Sequence, residues 1–195
     1  MDGFQRRKEM KKTNILEAAL TLFMKYGIQK VAVSEIAKEA KVSQVTIYNY
    51  FESKEKLIRE VIMYYVEKVW SETEELLDSD IDFSEKIKQI IFQSSTTANE
   101  INEDFYQYIM REYATGNNYI EKFYAEKALP RLADFFTFGK EQGYIDSSIS
   151  NEAIMFYIQM FNDYLSKEEV QKQALPLSED LSKLLFYGIV GNKDA

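Results

Sequence analysis

From Thr13 onward, apolar side chains return every three to four positions: Ile15, Ala19, Leu22 and Tyr26, with Leu16 and Phe23 widening the stripe. That period buries one face of an α-helix, and Gly27 stands where a left-handed C-cap would end it. A short second helix carries Val33, Ile36, Ala37 and Ala40 on one face and stops near Lys41. Ser43 predicts the start of a third helix over 44–50, because a serine hydroxyl accepts from the free amides of a first turn. Ser53 predicts a fourth, long helix through Leu57, Val61, Tyr65 and Val69 toward Leu77. Two short helices joined by a three-residue turn and covered by a preceding helix make a helix-turn-helix. On the third helix Ile47 and Phe51 point inward, toward Ile36, Ala37 and Leu22. Val45, Tyr48 and Asn49 point outward, flanked by Thr46. An outward face of Tyr, Val and Asn is unusual for mere solvation and suits base edges and thymine methyls in a major groove.

After Leu77 the pattern predicts helices over 83–98, 102–114, 119–142, 151–167 and 178–190, with Pro130 expected to kink or split the third of these. The body is rich in aromatic residues: Phe105, Tyr106, Tyr108 and Tyr113 on one helix, Phe123, Phe135, Phe136 and Phe138 on the next, Phe156, Tyr157, Phe161 and Tyr164 on another. Two readings stand together. Such residues pack cores, and they also line the mostly apolar pockets that hold small molecules. A pocket would draw on Trp70, Phe105, Tyr108, Ile109, Tyr113, Phe123, Phe156 and Met160, with Glu112 and Asp163 among its polar groups. Between Ala153 and Leu165 apolar residues run almost all the way round the helix, including Ile154 and Phe161. Leu177, Leu181, Leu184, Leu185 and Gly188 form a stripe on the last helix. A helix apolar on every side needs a second partner beyond its own core.

Composition narrows the chemistry. The 195 residues include no Cys and no His, which removes disulfides, thiolate nucleophiles, Cys/His zinc sites and imidazole bases. No Gly-rich phosphate loop, G-x-S-x-G elbow or metal-ligand spacing occurs, so an enzyme is not expected, nor a metal or cofactor. No stretch approaches the roughly 18 apolar residues of a membrane span, and a cytoplasmic protein without membrane contact is expected. The net charge of −8 conceals an asymmetry: residues 1–60 hold 12 Lys and Arg against 8 Asp and Glu, the remainder 12 against 24. A basic N-terminal module on an acidic body is a footprint of nucleic-acid binding. Arg6, Arg7, Lys8, Lys11 and Lys12 crowd the start of the first helix, where its dipole disfavours cations. They read as a flexible arm along the DNA backbone or minor groove.

The run from Ile36 to Leu57, IAKEAKVSQVTIYNYFESKEKL, resembles the DNA-binding signature of the tetracycline-repressor (TetR-like) transcriptional regulators, its IA, VS, TIY, YF and SK-L elements falling at the family's spacing. The resemblance covers about the first 60 residues. It implies an all-α chain: a three-helix helix-turn-helix domain over 1–53 and a helical effector-binding and dimerisation domain over 54–195. By the same resemblance Gln44, Val45 and Tyr48 would face bases, while Thr46, Tyr50 and Lys54 would hold phosphates. Lys54 sits unfavourably at a helix N-terminus, which a phosphate there would explain. Two positions depart from the family. Ala32 stands where a capping Thr or Ser is common, leaving Ser34 as the nearby hydroxyl, and Lys41 stands at a tight turn often filled by Gly. The resemblance further implies a homodimer through the last two helices, a palindromic double-stranded DNA operator, and a small apolar or aromatic effector that releases a repressor. The alternative is a DNA-binding structural or protein-regulated factor without a small-molecule effector.

Overall fold

In the computed structural model every regular element among the described residues is helical. The structure describes residues 3–87, 89–90, 102–114, 119–165, 170, 173, 177, 180, 181, 183 and 184. Helix α1 spans Gly3–Tyr26, α2 Val33–Glu39, α3 Gln44–Phe51 and α4 Lys54–Asp78. Helix α5 covers residues 83–87. Then come α6 Glu103–Ala114, α7 Tyr119–Phe123, a π-helical turn Tyr124–Ala128, α8 Leu129–Glu141 and α9 Asn151–Leu165. These residues fall into two compact units, one within Met1–Glu72 and Ala98–Phe123, the other within Thr73–Thr97 and Tyr124–Ala195. No helix among the described residues is long and apolar enough to cross a membrane.

The main correction to the expected elements is at the N-terminus. Helix α1 begins at Gly3, so Arg6, Arg7, Lys8, Lys11 and Lys12 lie on a helix and not on a flexible arm. Residues 4–12 contain neither Gly nor Pro, and their mostly unbranched side chains lose little rotamer freedom in a helix. Two contacts hold the segment: Lys12 pairs with the Glu60 carboxylate at 2.6 Å, and the Tyr50 hydroxyl donates to the Lys8 carbonyl at 3.3 Å. At the other end Gly27 caps α1 with φ +84°, its amide donating to the Phe23 carbonyl.

Helix α2 starts without a side-chain cap from Ala32, which nonetheless has the extended backbone (φ −85°, ψ 151°) of an N-cap. Glu35 supplies half of a capping box, its carboxylate accepting from the Ala32 amide at 2.7 Å. Ala32→Ser should therefore add the missing half and raise stability by about 1 kcal/mol. A urea titration would show a higher midpoint at unchanged slope; an unmoved midpoint would mean that the first turn of α2 gains nothing from a hydroxyl.

The first unit closes around Phe23, Ile15, Ile36, Ile47 and Phe51, with Leu57 and Val61 from α4 and Phe105 from α6, each at most 1% exposed. The rings of Phe23 and Tyr65 lie 6.3 and 5.7 Å from that of Phe105. In the second unit Phe83 stacks between Phe135 and Tyr144 at 4.6 and 5.0 Å. Gly139 makes room for it, since a Cβ there would come within 2.3 Å of the Phe83 ring. The expected helix over 119–142 stays helical to Glu141 but changes its hydrogen-bonding pattern ahead of Pro130: a wide π turn ends at Ala128, and Pro130 stands in the first turn of α8.

Candidate nucleic-acid interface

Helix α3 is aimed by both of its ends. Ser43 adopts extended backbone and its Oγ accepts from the Thr46 amide at 3.0 Å. Ile47 and Phe51, each 1% exposed, lock the inner face into the core. The opposite face is thereby turned outward, with Val45 68% and Tyr48 45% exposed and Gln44 and Asn49 exposed beside them. All four residues expected to face bases thus share one outward surface. Thr46 is half-buried, its hydroxyl 2.8 Å from that of Ser43. Ser34 and the Arg6 and Arg7 side chains are exposed.

Lys54, expected to hold a phosphate, has a partner within the protein as well. Its Nζ donates to the Ile28 carbonyl at 3.1 Å, so the loop between α1 and α2 supplies the negative partner that its position at a helix N-terminus calls for. The last turn of α1 and the same loop are gripped from the start of α6. The Asn102 amide donates to the Met24 carbonyl at 2.9 Å, and the Asp104 carboxylate accepts from the Gln29 amide at 3.0 Å. Gly27 lies against this contact, since a Cβ on it would meet Asn102 Oδ1 at 2.7 Å. Sequence reasoning passed over Asn102 and Asp104. The available signal was an Asn before an acidic first turn, which marks a helix start but not its docking partner.

Of the expected pocket residues, Trp70, Phe105, Ile109 and Phe123 are buried in the first unit, where Trp70 meets Phe123 edge to face at 6.5 Å. The Trp70 indole N–H is buried without a hydrogen-bond partner among the described residues. Tyr108 and Glu112 on α6 are half-buried. Phe156 and Met160 belong to the second unit and are exposed, 64% and 49%, so they present an outer face of α9. The side chains of Tyr113, Phe161 and Asp163, and residues Leu185 and Gly188, lie outside the described residues. Ile154, expected at a subunit interface, is buried within the chain at 2% exposure and belongs to the core beneath α9. Leu177 and Leu184 are exposed and Leu181 is half-buried. A cleft of about 480 Å³ in the second unit lies against Phe83, Arg131 and Asp134.

Burial sets the chemistry of two phenols in the first unit. Tyr65 is pushed up to about 12, first by burial and then by Glu72 and Tyr106; Tyr119 is likewise raised to about 12, by burial and by its hydrogen bond to the Glu67 carboxylate. Unfolded tyrosine titrates near 10. A folded value above the unfolded one contributes stability that is complete below pH 10 and is lost as pH rises through about 12. Tyr65→Phe should therefore flatten the alkaline fall in stability between pH 10 and 12 measured by urea unfolding. An equally steep fall in the variant would place the titration elsewhere.

Residues 15–61, spanning α1 through the first two turns of α4, match the family model of bacterial regulatory proteins, tetR family. The fold is also similar to that of a solved regulator. FadR from Bacillus subtilis, solved in complex with stearoyl-CoA, superposes with a TM-score of 0.63 at 23% identity, covering 91% of this chain and 98% of that one. The N-terminal module of the chain thus matches that of the TetR-like regulators. The chain is 44% identical over 57 residues to the HTH-type transcriptional regulator YuxN of Bacillus subtilis, 29% of this chain and 20% of that protein. To the HTH-type transcriptional repressor KstR2 of Rhodococcus jostii it is 25% identical over 87 residues, 45% of this chain and 43% of the relative. The chain thus matches less than half the length of these relatives.

Proposed function

We propose that the chain is a homodimeric, cytoplasmic transcriptional repressor that reads a palindromic operator through α3 and is released by a small apolar or aromatic effector. The outward Gln44, Val45, Tyr48 and Asn49 on a helix locked by Ile47 and Phe51 carry the DNA-binding half. Phosphate contacts release counterions, so duplex affinity should fall with salt at a log-log slope of about −0.9 per contact. A shift assay on genomic fragments across a salt series tests this. Failure to bind any fragment at low salt would end the reading.

The repressor sense and the apolar effector are supported by analogy, KstR2 being a repressor and FadR having been solved with an acyl-CoA. In this chain the support comes from the region of Trp70. A buried donor without a partner costs roughly 1–3 kcal/mol, which an effector carrying a hydrogen-bond acceptor would recover. The α6 contacts to the α1–α2 loop supply a route from such an effector to the DNA-binding module, because moving α6 disturbs the Asn102 and Asp104 bonds. As the chain has a single Trp, its emission reports binding there directly.

Dimerisation is supported by α9, whose Phe156, Met160 and Tyr164 recur every four residues and are all exposed. Met160→Asp should give a folded monomer in sedimentation with operator affinity lost, since an unpaired charge cannot be buried across an apolar contact without a cost of several kcal/mol. A variant that remains dimeric would place the interface elsewhere.

A further inference from the structure

Beside α3, on the same unit, a groove of about 930 Å³ runs between the N-terminal half of α1 and the α2–α3 turn. Arg7, Lys8, Lys11 and Lys41 line it together with Asn49 and Tyr50, and no carboxylate is among the described residues that do so. The neighbouring Lys12 is taken up by Glu60 on α4. The cations of the groove are therefore concentrated without being neutralised at its walls. Its shape depends on two bonds that cross it: the Asn14 side-chain amide donates to the Ala40 carbonyl at 3.1 Å, and the Tyr50 hydroxyl donates to the Lys8 carbonyl.

Lys41 is the unusual member. It holds φ +55°, a left-handed conformation that disfavours side chains other than those of Gly, Asn and Asp. Nothing in the turn's own bonding asks for a lysine. Its hydrogen bonds are backbone to backbone, Lys41 N–H to the Lys38 carbonyl at 3.2 Å and Val42 N–H to the Ala37 carbonyl at 2.9 Å, and a glycine would make both. A strained residue that the local structure does not need points to a role for its side chain. The groove meets the outward face of α3 at Asn49 and Tyr50, so a duplex lying on that face would bring its sugar–phosphate backbone to the groove.

We propose that this groove is a second DNA contact, a backbone clamp in which Lys41 and the helical N-terminal extension of α1 hold phosphates of the duplex that α3 reads. The inference rests on the DNA-binding reading above and adds to it contacts from the α2–α3 turn and the N-terminal half of α1. Phosphate contacts of this kind fix register and orientation and carry no sequence information.

Lys41→Gly separates the two roles of the residue because they move in opposite directions. Glycine relieves the left-handed strain, so the variant should melt at or above the wild-type temperature. With one cation lost from each protomer, affinity for a fluorescein-labelled mixed-sequence duplex should drop roughly five- to tenfold, and the salt slope should shrink by about 0.9 per protomer. Lys41→Gln, which keeps the side chain and removes the charge, should show the same drop, and Lys41→Arg should restore both affinity and slope. Unchanged affinity and slope in Lys41→Gly and Lys41→Gln would overturn the clamp while leaving the α3 reading intact. A wild-type protein that binds no duplex at low salt would overturn the α3 reading, and the clamp with it.

Discussion

Phe105→Ala is expected to cost the first unit about 3–5 kcal/mol, the range for removing a fully buried aromatic ring from a close-packed core. Phe105 is 0% exposed and stands on α6, yet its ring packs against Phe23 of α1 at 6.3 Å and meets Tyr65 of α4 edge to face at 5.7 Å. It links three helices, and truncation would leave a void that Phe23, Leu57 and Val61, already in place, can fill only in part. Aromatic pairs add roughly 0.5–1.5 kcal/mol beyond the buried area. Because the Asn102 and Asp104 contacts begin at the same end of α6, the variant should also loosen the α1–α2 loop. Urea unfolding against Phe4→Ala, a control at a 67% exposed position, reads the difference. The control should stay within about 0.5 kcal/mol of wild type. A loss below about 1 kcal/mol for Phe105→Ala would mean that α6 does not share the core of the DNA-binding module.

The second large effect concerns recognition. Replacing both Gln44 and Tyr48 with Ala should lower affinity for an operator selected from a randomised pool by roughly 100-fold or more, since each good base contact is worth about 1–3 kcal/mol. Stability should hardly change, because both side chains are exposed and Ile47 and Phe51 still anchor the helix. Affinity for mixed-sequence DNA should change far less, as phosphate contacts carry most of it. Equal losses on the selected and the mixed duplex would show that these two residues position the protein and do not read bases. The pairing with Lys41→Gly is informative for the same reason: the turn variant should weaken both duplexes alike.

Ser43, Gly27 and Pro130 show what sequence by itself determined. A hydroxyl at an N-cap, a residue without Cβ at a left-handed cap and an imino acid without an N–H act on the backbone within a turn of themselves, so the starts of α3 and α4, the end of α1 and a disturbance of the helix at Pro130 were legible from spacing. The outward face of α3 was legible too, since Ile47 and Phe51 claim one side of a helix only eight residues long. The start of α1 was not: residues 4–12 are charged good helix formers with no stop signal, and what holds them is Glu60 and Tyr50, far along the chain. Only the tertiary structure decided which long-range partner each polar group takes. Lys54 finds the Ile28 carbonyl 26 positions away, and Asp104 finds the Gln29 amide across 75. It also decided which side of α9 is inside, burying Ile154 and leaving Phe156 and Met160 exposed, because a helix apolar on every side carries no periodic signal to choose between them. The groove at Lys41 belongs to the same class: four scattered cations are only a charge count until the fold of α1 against the α2–α3 turn brings them to one surface.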